Sequence, residues 1–299
     1  MARPYQTPLA FKQALEQRIR NQFGGDGREL ARVRQLVVFD RFLARLAVEF
    51  KDDVVVKGGL VLELRLARAR TTKDIDLRLV GSSAETLTRL QRAGRLDLGD
   101  WLTFEVAEDK DSPTIEAEGM HYDGLRFRVE AQLGGKIFGK PFGLDVAFAE
   151  PLSGEPELLV GPDYLSFVDI PPTSVRVYPL ETHIAEKLHA YTVPRQRPNS
   201  RVKDLPDMAL LGTVRPLDAE IVRAAIERTF EHRATHDVPK DVPRPPADWA
   251  SAYELMAQDD ELPWPTLPDV HQAVQRFLNP VLAGTGGRWD VEQWQWRPR

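Results

Sequence analysis

The sequence predicts a mixed α/β fold of the α+β kind: a mixed sheet with flanking helices to about residue 170, followed by a mainly helical second half. Three observations predict it. Apolar residues recur at helical spacing over 28–50, helix-type and strand-type patterns then alternate to about 150, and after Pro151 the pattern turns helical with a strong helix from Leu180 to Ala190. The expected division is a domain over 1–170 with N-terminal helices and a second over 171–299.

Residues 8–23 and 28–50 read as helices, parted by Gly24-Gly25-Asp26-Gly27. In the second, Leu30, Val33, Leu36, Val37, Phe39, Phe42, Leu43, Leu46 and Phe50 make the apolar stripe. Val54-Val55-Val56 is a short strand ending at Lys57-Gly58-Gly59. Leu60 to Ala67 suits a helix that Thr71-Thr72 ends, and Ile75, Leu77, Leu79 and Val80 then alternate with polar residues as a strand. A helix follows over 84–93. Strands follow over 101–107, 124–133 and 142–148, with a turn at Gly134-Gly135. Pro171-Pro172 reads as a linker. Further helices are expected near 201–212, 217–232 and 267–282, interrupted by an exposed proline-rich loop at Val238–Pro246. Trp289, Trp294 and Trp296 predict a docked terminal segment, because exposed tryptophans are disfavoured.

Composition excludes several classes of function. With 42% hydrophobic and 28% charged residues the chain reads as globular, and no apolar run approaches the roughly 20 residues that cross a bilayer. No secretory signal is expected, and the cytoplasm is the expected compartment. The absence of cysteine removes disulfides, thiolate metal sites and cysteine nucleophiles. A net charge of −5 argues against a protein that simply coats nucleic acid. Residues 1–50 nevertheless carry nine Arg/Lys against five acids, which reads either as a solvated helix face or as a phosphate-contacting surface.

The chemistry concentrates around Lys57-Gly58-Gly59 and Asp74-Ile75-Asp76. Aspartates at i and i+2 on a strand share a face, with Cα atoms roughly 6.5–7 Å apart. Such a pair suits Mg²⁺, or Mn²⁺, shared with substrate phosphates. Gly58-Gly59, at a strand-to-helix turn, lets the backbone approach a ligand and leaves free N–H groups facing a phosphate. Asp145 lies in the apolar strand Gly143–Phe148, where a carboxylate is costly unless paired or metal-bound; Glu130 competes for that role. Lys187 sits in an apolar helix, either snorkelling or holding a triphosphate, with Asp204 or Asp207 to orient it or serve as a base. His183 and His189 are read as structural.

Lys57-Gly58-Gly59, Arg70-Thr71-Thr72-Lys73-Asp74-Ile75-Asp76-Leu77, Asp145, Glu186-Lys187-Leu188-His189-Ala190 and Arg201-Val202-Lys203-Asp204 together resemble the AbiEii/AbiGii toxin family, which includes the MenT-like toxins of type IV toxin–antitoxin systems. The resemblance spans about residues 35–212. It implies a polymerase β-like nucleotidyltransferase fold and transfer of a nucleotide from an NTP to the 3′ end of tRNA, which inhibits translation until a cognate antitoxin intervenes. It also implies roles: Asp74, Asp76 and Asp145 for metal; Gly58, Gly59, Thr72 and Lys187 for the nucleotide; Asp204, ahead of Asp207, to complete the site. Lys57 and Arg201 fall in the same blocks. Gly58-Gly59 departs from the Gly-Ser of the wider superfamily. Arg195, Arg197, Arg201 and Lys203 are placed to meet an acceptor stem, or form a basic loop. The competing readings are a nucleotidyltransferase acting on a protein or small molecule, a non-catalytic NTP- or RNA-binding module, and a phosphotransferase.

Overall fold

Val33, Val37, Val38, Phe42, Leu43, Leu46 and Phe50 turn into a single core, and their burial stabilises a helix of 24 residues, α2 (Gly27–Phe50). Asp26 caps its start by accepting from the Arg28 N–H. Before it, Thr7 caps α1 (Pro8–Phe23), whose first residue is a proline suited to that position. The computed structural model of the chain describes residues 5–24, 26–66, 72–114, 124–148, 152–194 and 201–298.

The strands are β1 (Val54–Lys57), β2 (Ile75–Leu79), β3 (Leu102–Glu108), β4 (Gly124–Leu133), β5 (Lys136–Ile137), β6 (Phe142–Phe148), β7 (Glu157–Val160) and β8 (Ser174–Val177). They form one mixed sheet in the order β3-β4-β6-β2-β1-β8-β7, with β5 paired to β4. The β2–β6 and β1–β8 pairs are parallel and the rest antiparallel. Helices α2 and α4 (Ser83–Gly94) supply buried side chains to the same core as Ile75, Leu77 and Leu79 of β2. Alternation therefore turns Asp76 to the opposite face. Helix α3 (Gly59–Arg65) follows β1 directly, and Arg65 ties it to the sheet by donating to Glu157 at 2.7 Å and to the Tyr178 carbonyl at 2.9 Å.

The second half packs a separate apolar cluster from α5 (Leu180–Thr192), α6 (Asp204–Leu211), α7 (Ala219–Arg233), α8 (Ala250–Asp259) and α9 (Leu267–Leu282). Leu62 of α3 joins that cluster and so couples it to the sheet-bearing half. The terminal segment docks as expected, as a hairpin of β9 (Arg288–Asp290) and β10 (Gln295–Arg297). The indole N–H groups of Trp289, Trp294 and Trp296 donate to the carbonyls of Gly212, Ala273 and Phe277 at 2.8, 3.1 and 2.7 Å.

Three expectations are corrected. Pro171-Pro172 is no free linker, because it leads into β8, which pairs with β1 and β7 inside the sheet. The stretch Val238–Pro246 is not simply an exposed loop: Val242 is buried and its N–H donates to Asn279 Oδ1 at 2.9 Å, while the Pro243 carbonyl accepts from Tyr191 Oη at 2.8 Å. Arg41 and Arg45 belong neither to a solvated face nor to a phosphate-contacting surface. Both are buried around Asp100, Arg41 Nε at 2.8 Å and Arg45 at 2.8 and 2.7 Å.

Candidate active site

The register of the central strands places the chemistry. Lys57 of β1 stands opposite Asp76 of β2, Asp76 opposite Asp145 of β6, and Asp145 opposite Arg126 of β4. Side chains opposite one another on neighbouring strands emerge from the same face, so the row reads cation, carboxylate, carboxylate, cation. Asp74, just before β2, shares that face, and its Oδ1 accepts from the Gly143 N–H at 3.0 Å. The three aspartates singled out from the sequence thus stand together. Glu130 lies elsewhere, opposite Glu105 at the β3 side of the sheet.

These residues line an open cleft of about 1570 Å³. Lys57, Gly58, Gly59, Thr72, Asp74, Asp76, Arg126 and Asp145 come from the sheet side; Lys187, Arg201 and Asp204 come from the helical half. Removal from water pushes the Asp76 carboxyl above the ordinary aspartate range; Lys57 and Lys187 pull it down, and Asp145 and Asp74 push it further up. Crowded carboxylates of this kind are hard oxygen donors whose mutual repulsion a divalent cation relieves, so the donor set fits Mg²⁺ or Mn²⁺. Among the described residues no three such groups already converge as a metal cluster. Both oxygens of Asp145 accept from Arg126, Nε to Oδ1 and a terminal nitrogen to Oδ2, each at 2.7 Å.

The glycine turn is built against Asp76. Gly58 has φ +71 and ψ −156, a conformation reserved in practice for glycine, and a Cβ placed there would sit 1.9 Å from Asp76 Oδ2. Gly58→Ala is therefore expected to cost about 1–3 kcal/mol of stability in thermal or urea unfolding from backbone strain alone. By displacing Asp76, the same substitution should also cost roughly 10²-fold in the rate of any reaction that depends on this carboxylate. An alanine variant with native stability and rate would show that the turn does not set the carboxylate. Gly143 plays a related part, since a Cβ there would meet Asp74 Oδ1 at 2.7 Å.

Across the cleft, Lys187 of α5 is not a snorkelling lysine. Its Nζ donates to Asp204 Oδ1 at 3.2 Å and to Asp207 Oδ2 at 2.6 Å, and both aspartates are buried. Asp204 and Asp207 begin α6 at i and i+3, on one helical face, so both reach the ammonium. Arg201 approaches Asp204 at 3.9 Å. Arg70, Thr71, Arg195 and Arg197 lie outside the described residues. Thr72 is buried. Its N–H donates to Glu63 Oε1 at 2.6 Å and its hydroxyl to the Asp74 carbonyl at 3.2 Å, and Arg32 holds the other Glu63 oxygen at 3.1 Å.

Sequence reasoning missed Arg126, Gly143, Glu63 and Arg32. Arg126 was readable as a polar-face residue of a predicted strand, but its partner depends on a pairing between β4 and β6 that no local pattern carries. His189, read as structural, is buried and its Nε2 lies 2.8 Å from Thr235 Oγ1.

Among solved structures, MenT4, a nucleotidyltransferase toxin from Mycobacterium tuberculosis H37Rv, is similar with TM-score 0.53 and 15% identity, covering 90% of this chain and 98% of that one. JHP933 from Helicobacter pylori aligns with TM-score 0.48 and 14% identity over 88% of this chain and 94% of its own. At such identities the likeness to MenT4 shows the fold alone. No curated protein matches the sequence. The family model for the nucleotidyl transferase AbiEii toxin of type IV toxin–antitoxin systems, however, matches residues 41–285, which takes in the sheet row, the glycine turn and Lys187 with its two aspartates. The chain belongs to that family and is a nucleotidyltransferase toxin of a type IV toxin–antitoxin system.

Proposed function

We propose that the cleft transfers a nucleoside monophosphate from an NTP to an acceptor hydroxyl, with the 3′ end of tRNA as the acceptor. The observation that carries this reading is the row of Asp76 and Asp145 in register, flanked by Asp74 and faced across one cleft by Lys187. The acceptor oxygen forms a bond to the α-phosphorus, the bond to the β-phosphate bridging oxygen breaks, and pyrophosphate leaves. Divalent ions, Mg²⁺ or Mn²⁺, held by Asp74, Asp76 and Asp145 would supply charge neutralisation to the triphosphate and the attacking oxygen. Lys187, fixed by Asp204 and Asp207, contacts the triphosphate. Gly58 and Gly59 let the phosphates approach the backbone. Thr72 holds the loop before Asp74, and Asp145 takes up the proton that the acceptor hydroxyl loses. Positioning and charge neutralisation carry most of the rate in such a reaction.

The helical half would contribute Lys187 and Asp204 to a site otherwise built by the first half. The division at residues 170 and 171 has support in the two apolar clusters, with β8, among the described residues, as the one strand of the later half that stays in the sheet. Arg201 and Lys203, both on the cleft wall, would meet the acceptor stem. Modified at its 3′ end, tRNA cannot be aminoacylated, so translation stops in the cytoplasm until a cognate antitoxin protein neutralises the toxin.

The deciding experiment incubates the purified protein and Mg²⁺ with each labelled NTP and either total tRNA or total protein. Label is expected on tRNA, with pyrophosphate released. Label on protein alone would replace the acceptor; ADP release in place of pyrophosphate would replace the reaction. Binding of tRNA should weaken steeply with salt, the logarithm of affinity falling by roughly 0.7–0.9 per phosphate contacted for each tenfold rise in salt. A flat dependence would remove the proposed acceptor.

A further inference from the structure

The Arg126–Asp145 pair is more than a strut between two strands. Both carboxylate oxygens are engaged by one planar fork at 2.7 Å each, the geometry in which arginine binds a carboxylate most strongly. Arginine keeps its charge at any ordinary pH, so this is a fixed positive charge on the carboxylate that stands in register with Asp76. Among the described residues, Asp145 is the only carboxylate the guanidinium contacts in a hydrogen bond. The pair lies on the cleft wall, with the arginine side chain 37% and the aspartate 21% exposed, so it can separate without opening the core. A bidentate fork takes one lone pair on each oxygen of Asp145, crowding the side from which a metal ion would approach, and its charge repels a cation arriving beside it.

We propose that Arg126 is a resident cation that guards Asp145. The free protein then loads one divalent ion at Asp74 and Asp76, and a second ion gains Asp145 only when Arg126 swings off it. This rests on the nucleotidyltransferase reading of the cleft and adds an order of loading to it. In the free state Arg126 offsets the repulsion among three neighbouring carboxylates. Once released, its guanidinium is left at the cleft wall, able to pair with a substrate phosphate.

The test is a Mn²⁺ titration of the full chain without nucleotide, following free Mn²⁺ by electron paramagnetic resonance, for the wild type, Arg126→Gln and Arg126→Lys. The wild type is expected to bind one ion tightly and a second weakly. Arg126→Gln should bind the second at least tenfold more tightly. Arg126→Lys, which keeps the charge but loses the fork, should fall between them and carries the test if the glutamine variant does not fold. Adding Asp145→Asn to Arg126→Gln should erase the gain. A second site no tighter than wild type in both Arg126 variants overturns the guarding role while leaving the cleft reading intact. If the wild type binds no Mn²⁺ and Asp76→Asn changes nothing, the carboxylate site itself fails, and the guarding role fails with it.

Discussion

Asp76→Ala is expected to abolish nucleotidyl transfer while leaving the fold in place. Asp76 is the centre of the strand row, with Lys57 opposite on one side and Asp145 on the other, and Gly58 is pressed against its carboxylate. Losing several kcal/mol of transition-state stabilisation corresponds to a rate loss of about a thousandfold or more. Stability should not suffer to match, because burial and the neighbouring carboxylates already disfavour the ionised form in the folded protein. The check is pyrophosphate release alongside a thermal unfolding curve. Near-full release from a folded Asp76→Ala protein would remove this carboxylate from the reaction. An unfolded variant would shift the question to Asp76→Asn, which keeps the shape packed against Gly58.

How far the sequence disclosed this site follows from the range of each signal. Asp74 and Asp76 were legible because strand alternation is local: one residue between them is enough to put both on one face. Gly58 was legible as a turn, but the contact that makes it obligatory, with Asp76 Oδ2, spans a strand pairing. The opposition of Asp76 to Asp145 belongs to a parallel pair joined through β3 and β4, so composition near Asp145 marked it as unusual without saying what it faced. Arg126 was out of reach for the same reason. The sequence favours Asp204 over Asp207 because it follows Arg201 and Lys203 directly, whereas in the fold both accept from Lys187. Strands β7 and β8 escaped notice because each has four residues, and β7, at the sheet edge, leaves Leu158 and Val160 exposed, so neither gives a long apolar alternation. The long helices, whose stripes repeat over several turns, were legible nearly to their ends. Arg41 and Arg45 were misread because their partner, Asp100, lies more than 50 residues further along the chain.

Asp100→Asn is expected to be the most damaging single change to stability. Asp100 is fully buried and serves two arginines at once: Arg45 through both oxygens and Arg41 through one. It also accepts from the Leu102 N–H at 3.1 Å. Arg41 carries the cluster on to Thr173 at 3.3 Å, so α2, the start of β3 and the approach to β8 meet at one carboxylate. An amide of the same shape leaves the Arg45 guanidinium in the core without its counter-charge and Arg41 with only Asp40, at 3.3 Å, and breaking a buried pair from one side costs about 3–5 kcal/mol. Burial by itself raises the Asp100 carboxyl, but the hydrogen bonds and charges of Arg45 and Arg41 outweigh it and hold the group below the ordinary aspartate range. At acid pH the unfolded chain therefore binds this proton more readily than the folded one. The contribution is whole above about pH 5 and drains away as pH falls through the ordinary carboxylate range toward the depressed folded value. Urea unfolding of wild type and Asp100→Asn across this range should show curves far apart at neutral pH that approach each other in acid. A loss below about 1 kcal/mol at neutral pH, the scale of an exposed pair, would mean that the arginines find other partners and that the cluster does not hold the sheet to α2.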